Sequence, residues 1–143
     1  MSVNRLIVSI VVALIALSIA GHLIWNQIRD SDYQNEIVHE TDRWAVIQDL
    51  KGDRIAVEPS NDEIWNQLVD LNQNRTRMWI GGIVEEYGSK WGFRFKPENV
   101  TIAQITAEGL QATIQFISED LDYWLDLGWA YVSAQVAEIH DYT

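Results

Sequence analysis

The chain of 143 residues contains no cysteine and only two prolines. Without thiols it has no disulfide framework, no thiolate metal site and no cysteine nucleophile. Its length corresponds to one domain. About 115 residues follow the apolar N-terminal segment, which is enough for a hydrophobic core without cross-links.

Basic residues are also scarce, with ten Lys and Arg against twenty-one Asp and Glu. Only Arg5 precedes the apolar segment, so nine basic residues accompany all twenty-one acids after it. Such a surface repels nucleic-acid phosphates and anionic lipid headgroups. The composition therefore excludes nucleic acid as a partner, and any attachment to a lipid bilayer must come from burial of apolar side chains.

The longest apolar run extends from Leu6 to Ile28 and contains no Asp, Glu, Lys or Arg. Twelve of its residues between Leu6 and Ile24 are Leu, Ile or Val. As a helix the run measures ~34 Å, against ~30 Å of hydrocarbon. Each of those side chains favours insertion by ~0.3–0.6 kcal/mol. The sequence predicts a transmembrane anchor over residues 1–28.

A cleaved secretory signal is the alternative, with Ser18-Ile19-Ala20 as its cleavage site. The apolar run continues past that site through Trp25, which favours a retained anchor. Arg5 before the anchor and the acidic residues after Arg29 favour a cytoplasmic N-terminus and an extracytoplasmic domain at the cell membrane. His22 lies within the anchor, where it either faces a neighbouring membrane protein or is solvated near the interface.

Residues 29–42 are polar and predict a stalk or a helical extension, followed by a domain over residues 43–143. Strands are predicted at 43–49 and 55–57. Ser60 lies three residues before Glu63, the spacing of a capping box, and predicts the start of a helix that ends near Asn74.

Two strands, 77–87 and 91–96, predict a hairpin in which Val84 faces Phe93 and Gly82 faces Phe95. A short strand follows at 100–105. Apolar residues then recur at helical spacing and predict one further helix, ended by Gly128, and strand 131–138 closes the domain. The predicted fold is α+β, a small mostly antiparallel sheet with two helices packed on one face. The helical residues are Leu110, Ile114, Ile117, Leu121 and Trp124.

The stretch from Met78 to Ile139 resembles the N-terminal domain of a family of calcium-regulated cell-adhesion proteins. The matching features are Gly81 or Gly82 in a strand, then Trp91-Gly92-Phe93 with a basic residue and Phe95, then Pro97 and Val100. The stretch KWGFRFKPENVTIAQITAEGLQATI is also similar to uncharacterised membrane-anchored exported proteins of ammonia-oxidising archaea. These resemblances imply a surface binding domain whose function involves calcium or cell adhesion.

Three acids, Glu119, Asp120 and Asp122, are the candidate ligands for calcium, which prefers carboxylate oxygens. No Asp-x-Asp-x-Asp-Gly loop accompanies them, so a solvated helix face is the favoured interpretation. His39, with Glu40 and Asp42 beside it, and His140 are further metal-type side chains. They lie in the stalk and the C-terminal tail, which argues against a shared site. No cofactor is assigned.

Two sequons, at Asn74 and Asn99, are candidate glycosylation sites on an extracytoplasmic domain. Trp129 and Tyr131 are candidates for an exposed recognition patch. The sequence contains no Gly-x-Ser-x-Gly elbow and no phosphate-binding glycine loop. The favoured function is therefore a non-catalytic binding module or accessory subunit that contacts neighbouring membrane or cell-surface proteins. The alternatives are an anchored hydrolase with paired carboxylates, a calcium-linked adhesion domain and a structural spacer.

Overall fold

A computed structural model of the protein describes residues 37–143, which belong to one compact unit. The predicted anchor, His22 and residues 29–36 of the predicted stalk lie outside the described residues. Within residues 37–143 we find no helix with the length and apolar character needed to cross a bilayer. The fold is α+β with a mostly antiparallel sheet, which confirms the predicted class.

The described chain forms seven strands, three α-helices and two short 3-10 helices, Pro97–Asn99 and Glu108–Leu110. The helices are α1 (Asp62–Asn74), α2 (Ile114–Glu119) and α3 (Leu121–Leu127). The strands are β1 (Arg43–Asp49), β2 (Arg54–Val57), β3 (Met78–Glu86), β4 (Phe93–Phe95), β5 (Thr101–Ala103), β6 (Gln111–Ala112) and β7 (Trp129–Asp141).

The longest strand, β7, lies at the centre of the sheet, whose strand order is β2-β1-β7-β3-β4. It pairs with β1 through residues 134–141 and with β3 through residues 129–134, both antiparallel. The short strand β6 adds a parallel pairing to residues 131 and 132 of β7, and β5 pairs with β3. The side chains of Ala130, Val132 and Ala134 alternate into the core, as period-two strand geometry requires.

The two end strands approach each other, so the sheet is almost closed into a barrel. The indole Nε1 of Trp91, just before β4, donates to the Arg54 carbonyl of β2 at 2.8 Å. The Ser60 amide donates to the Pro97 carbonyl at 3.0 Å, which joins the segments that follow β2 and β4. The core contains side chains from the strands and from all three helices, including Ile47, Leu68, Ile80, Phe93, Ile117, Trp124 and Val132.

Helix α1 begins one residue later than predicted. Asn61, and not Ser60, is its N-cap, since its side chain accepts hydrogen bonds from the amides of Glu63 and Ile64. The predicted end at Asn74 is confirmed, and Arg75 follows it in the left-handed conformation with φ of 52°. The amide side chain of Asn61 thus replaces the predicted serine hydroxyl in the same role.

The predicted single C-terminal helix is wrong, because it is divided into α2 and α3. Asp120 lies between them with φ of −130° and ψ of 52°, outside the helical region. Leu110 belongs to the preceding 3-10 helix, and Thr113 caps α2 by accepting from the Phe116 amide. The apolar spacing still identified the core, because Ile114, Ile117 and Trp124 are all buried.

The β3–β4 hairpin forms with a register two residues away from the predicted one. Val84 pairs with Phe95 and Glu86 with Phe93. The loop is longer than a tight turn, and Gly92 closes it with φ of 77° while its carbonyl accepts from the Tyr87 amide. A shift of two residues leaves each side chain on the same face. Both phenylalanines are accordingly buried, as the alternation predicted.

Candidate functional site: an acidic aromatic surface

Exposed apolar side chains are concentrated in one part of the described chain. Eight large apolar residues are exposed, and four of them fall between residues 116 and 129. In the same span four acidic residues are exposed, and each lies within a few positions of an exposed apolar one. We call this region the acidic aromatic surface; it comprises Phe116, Glu119, Asp120, Asp122, Tyr123, Asp126, Leu127 and Trp129.

Helix α3 presents two parallel rows of side chains in this surface. Tyr123 and Leu127 are one helical turn apart and are 52% and 41% exposed. Asp122 and Asp126, also exposed and one turn apart, form an acidic row beside them. The opposite side of the helix is anchored by the buried Trp124. A seven-residue helix therefore exposes an apolar row and an acidic row side by side.

Trp124 forms a rigid base for the aromatic part of the surface. Its ring is in edge-to-face contact with Tyr123 at 5.2 Å and with Phe116 at 6.2 Å between ring centroids. Phe116 is 55% exposed although it contacts this buried ring. The Nε1 atom of Trp124 is buried and has no hydrogen-bond partner among the described residues. An indole donor thus lies unpaired beneath two half-exposed rings.

Gly128 ends α3 with φ of 91° and directs the chain into β7. The next outward-facing side chains of β7 are Trp129 and Tyr131, whose rings are nearly parallel with centroids 6.3 Å apart. Of this predicted recognition pair, Trp129 is 36% exposed and Tyr131 is half-buried. Trp129 follows the exposed Leu127 by two positions in the sequence.

An open groove of about 380 Å³ begins at Phe116. Trp79 and Ser133, which pair across β3 and β7, form part of its lining together with the exposed Leu50. Lys51 supplies a cation to the groove lining. Its size is in the lower part of the range for ligand pockets.

The three predicted calcium ligands belong to the acidic aromatic surface but occupy different local structures. Glu119 is the last residue of α2 and accepts from the Gln115 side chain at 2.8 Å. Asp120 lies at the break between the helices, and Asp122 lies in the first turn of α3. Across residues 37–143 we find no group of three or more His, Asp or Glu side chains placed to hold a metal ion.

The two predicted histidine clusters meet at Trp44. The imidazole of His39 stacks on this indole at 3.4 Å and that of His140 at 4.6 Å, both nearly parallel to it. One indole is therefore the packing surface for both imidazoles. Among residues 37–143, neither His39 nor His140 belongs to a group of three or more His, Asp or Glu side chains that could hold a metal ion.

Two carboxylates are buried in the described domain, and backbone donors occupy both of them. Asp49 accepts from the amides of Lys51 and Asp53 through Oδ1 and from the Ile114 amide through Oδ2. Glu58 accepts from the amides of Glu40 and Thr41, both at 2.7 Å. These carboxylates therefore hold segments together that are distant in the sequence.

Arg94 pairs with several carboxylates near the N-terminal end of the described chain. Its guanidinium lies 2.7 Å from Glu85, 3.3 Å from Glu40 and 3.7 Å from Glu58. The same group lies over the ring of Tyr87 at 4.4 Å. Burial raises the pKa of the Tyr87 hydroxyl, and the nearby carboxylates of Glu40 and Glu58 raise it further against the opposing effect of Arg94.

The two candidate glycosylation sites differ in accessibility. Asn74 is exposed at the end of α1, and Thr76 of its sequon is exposed as well. Asn99 is half-buried at the end of a 3-10 helix, and its carbonyl accepts from the Thr101 hydroxyl at 2.9 Å. Asn74 is therefore the better placed of the two acceptors.

Tyr123 and Leu127 were not singled out as functional residues in the sequence. They are four residues apart and lie on a different side of the helix from the buried Trp124, which indicates a second apolar row. This row was overlooked because a single long helix was predicted there. The network of Arg94, Glu58 and the backbone of residues 40 and 41 joins positions that are distant in sequence, so spacing gave no indication of it.

The chain matches no protein-family model, and neither a curated protein nor a solved structure matches it. The resemblances to adhesion domains and to archaeal exported proteins therefore stay predictions.

Proposed function

We propose that the protein is a single-pass membrane protein whose extracytoplasmic domain binds a neighbouring membrane or cell-surface protein. In this proposal residues 6–28 span the bilayer as a helix, with the N-terminus in the cytoplasm. The uncharged sequence of those residues supports the anchor. The domain is an accessory subunit and has no catalytic role of its own.

The observation that carries the binding role is the concentration of exposed apolar side chains between residues 116 and 129. Scattered apolar residues are normal on a protein surface, whereas a contiguous group with a polar rim is typical of a protein-binding site. Trp and Tyr supply much of the affinity at such sites. The groove beside Phe116 adds a recess in which a partner side chain can be buried.

The arrangement of the acids supports a binder over a hydrolase. Acid–base catalysis by paired carboxylates needs two groups that face a substrate and have different environments. In residues 37–143 the buried carboxylates, Asp49 and Glu58, are hydrogen-bonded to backbone amides, and Glu58 also faces Arg94. The exposed acids of α2 and α3 lie in solvent, where their role is to orient a partner.

Two fractionation experiments test the membrane part of the proposal. After alkaline carbonate treatment the full chain should stay in the membrane pellet, because an apolar helix and not charge holds it there. Protease added to intact cells should remove or shorten the domain. Release by carbonate, or a domain that the protease leaves untouched, contradicts the proposed attachment or orientation.

The binding part is tested by purifying the full chain in mild detergent from its native membrane. The double variant Tyr123→Ala/Leu127→Ala should lose its co-purifying partner by about tenfold or more, as expected for interface anchors. The matched control is Ile105→Ala/Tyr142→Ala, which also removes one aliphatic and one tyrosine side chain from exposed positions outside the surface. Equal retention of the partner by both double variants contradicts the proposal.

A further inference from the structure

Charge is distributed unequally along the chain. No Lys or Arg follows Lys96, although residues 97–143 contain eight Asp and Glu. This part of the chain supplies α2, α3 and β7, and therefore the whole acidic aromatic surface. All cations of the domain come from the earlier residues.

The four acids of the surface also lack compensating cations. Elsewhere in the domain carboxylates pair with arginines, for example Asp62 with Arg43 at 2.9 Å and Glu85 with Arg94 at 2.7 Å. Among residues 37–143, no Lys, Arg or His forms an ion pair with any of the acids of this surface. These acids are Glu119, Asp120, Asp122 and Asp126.

We infer that the acidic aromatic surface binds a cationic amphipathic segment of its protein partner, in which Lys or Arg residues alternate with large apolar ones. This inference rests on the proposed function and specifies the partner. Basic side chains of the segment face Asp122 and Asp126, while its apolar side chains cover Tyr123 and Leu127. Complementary charge of this kind accelerates association and suppresses wrong partners.

The geometry of α3 supports this choice over other classes of ligand. The apolar row and the acidic row run side by side, so a ligand must offer both characters at the spacing of one helical turn. A metal ion offers only charge, and the acids do not converge on one point. Anionic lipids and nucleic acids are repelled by the same carboxylates.

The buried Trp124 can report whether a ligand binds at the acidic aromatic surface. Trp124 is buried beneath Phe116 and Tyr123, so a ligand that covers those rings alters the environment of its unpaired indole N–H. Trp65 of α1 is similarly buried, at 4% exposure, and lies on a different helix. The nuclear magnetic resonance signals of the two indole groups therefore report the surface and a control position.

The test uses the full chain in nonionic detergent and a fluorescently labelled 18-residue helical peptide of Lys and Leu. Empty micelles serve as the blank, and a peptide with Glu in place of Lys is the control ligand. We expect saturable binding of the Lys peptide, little binding of the Glu peptide, and a shift of the Trp124 indole signal without a matching shift of Trp65. Raising the salt from 0.1 to 1 M should weaken binding, since the Debye length falls from about 10 to 3 Å.

Two double variants with the same change in net charge locate the effect. Asp122→Asn/Asp126→Asn should slow association about tenfold, because rim charges act chiefly on the association rate. Glu63→Gln/Asp70→Asn, which neutralises two exposed acids of α1, should change it less than twofold. Equal slowing by both pairs shows a response to net charge alone and overturns the inference, as does slowing by neither pair.

The inference and the proposed function fail in different ways. If the native partner is lost in Tyr123→Ala/Leu127→Ala but fully retained in Asp122→Asn/Asp126→Asn, the binding face stands and the cationic partner is wrong. If the native partner is retained in both variants, the proposed binding face itself is wrong. Loss in both variants, with retention in the α1 control, supports both.

Discussion

The ring of Tyr123 lies perpendicular to the buried indole of Trp124, with ring centroids 5.2 Å apart. Tyr123 is 52% exposed and Trp124 only 2%. Neighbouring residues on one short helix therefore have separate tasks, since one holds α3 in the core and the other faces solvent. This separation allows the binding face to be altered without unfolding the domain.

The first prediction concerns that separation. Trp124→Ala should lower the free energy of unfolding by about 4 kcal/mol, because it leaves a cavity in the core. Tyr123→Ala should cost less than about 1 kcal/mol, since half of its ring is already in water. Thermal unfolding followed by circular dichroism measures both. Similar losses in the two variants would show that Tyr123 is a core residue and not a binding residue.

The second prediction concerns the close approach of β3 and β7. A Cβ atom on Gly81 would overlap the Ala130 carbonyl oxygen and lie 2.8 Å from the Tyr131 Cα, so the strand backbones leave no space for a side chain. Gly81→Ala should therefore destabilise the domain by about 3 kcal/mol or prevent folding. Gly88→Ala is the control, because nothing lies within 4 Å of its added Cβ. Equal melting temperatures for the two variants would contradict the described strand pairing.

The third prediction concerns Glu58, which joins residues 40 and 41 to Arg94. Glu58→Ala should cost about 3 kcal/mol, because it leaves the amides of Glu40 and Thr41 without their acceptor and removes one of the three carboxylates around Arg94. Hydrogen exchange of the Glu40 and Thr41 amides should become faster in this variant. The exposed Glu98 provides the control, and Glu98→Ala should change neither quantity. Unchanged exchange in Glu58→Ala would contradict the network.

The fourth prediction follows from the raised pKa of Tyr87. The folded state holds this proton more tightly than the unfolded state, so the contribution to stability is complete below pH 10. It is lost as the pH rises from 10 through the pKa of the folded state. Stability of the wild type should therefore decline in that alkaline range, and Tyr87→Phe should remove part of the decline. Denaturant unfolding at several pH values measures it; identical profiles would contradict the assignment.

The order of the elements was predictable from the sequence because local signals agreed with each other. Alternation of Phe93 and Phe95 placed both rings in the core even though the predicted register was wrong, since a shift of two residues preserves the face. The end of α1 at Asn74 followed from its apolar spacing. In these cases the local spacing of apolar residues predicted both the type of secondary structure and the side chains that are buried.

The other features of the fold and the site depend on contacts that the spacing of residues in the sequence does not predict. The break at Asp120 has no Gly or Pro to mark it, so the apolar period across α2 and α3 was interpreted as one helix. The near-closure of the sheet requires Trp91 to reach Arg54, which is 37 positions earlier in the chain. The acidic aromatic surface became visible only when the exposure of Tyr123 and Leu127 was known.

The most direct test of the central claim places a photo-crosslinking amino acid at single positions of the full chain in its native membrane. Incorporation at position 123 or 127 should give one defined adduct with a partner protein, through a segment rich in Lys or Arg. The same group at position 105, which is 87% exposed and outside the surface, should give none. An adduct from position 105 alone, or no adduct from 123 and 127, would contradict the assignment of the acidic aromatic surface as the binding face.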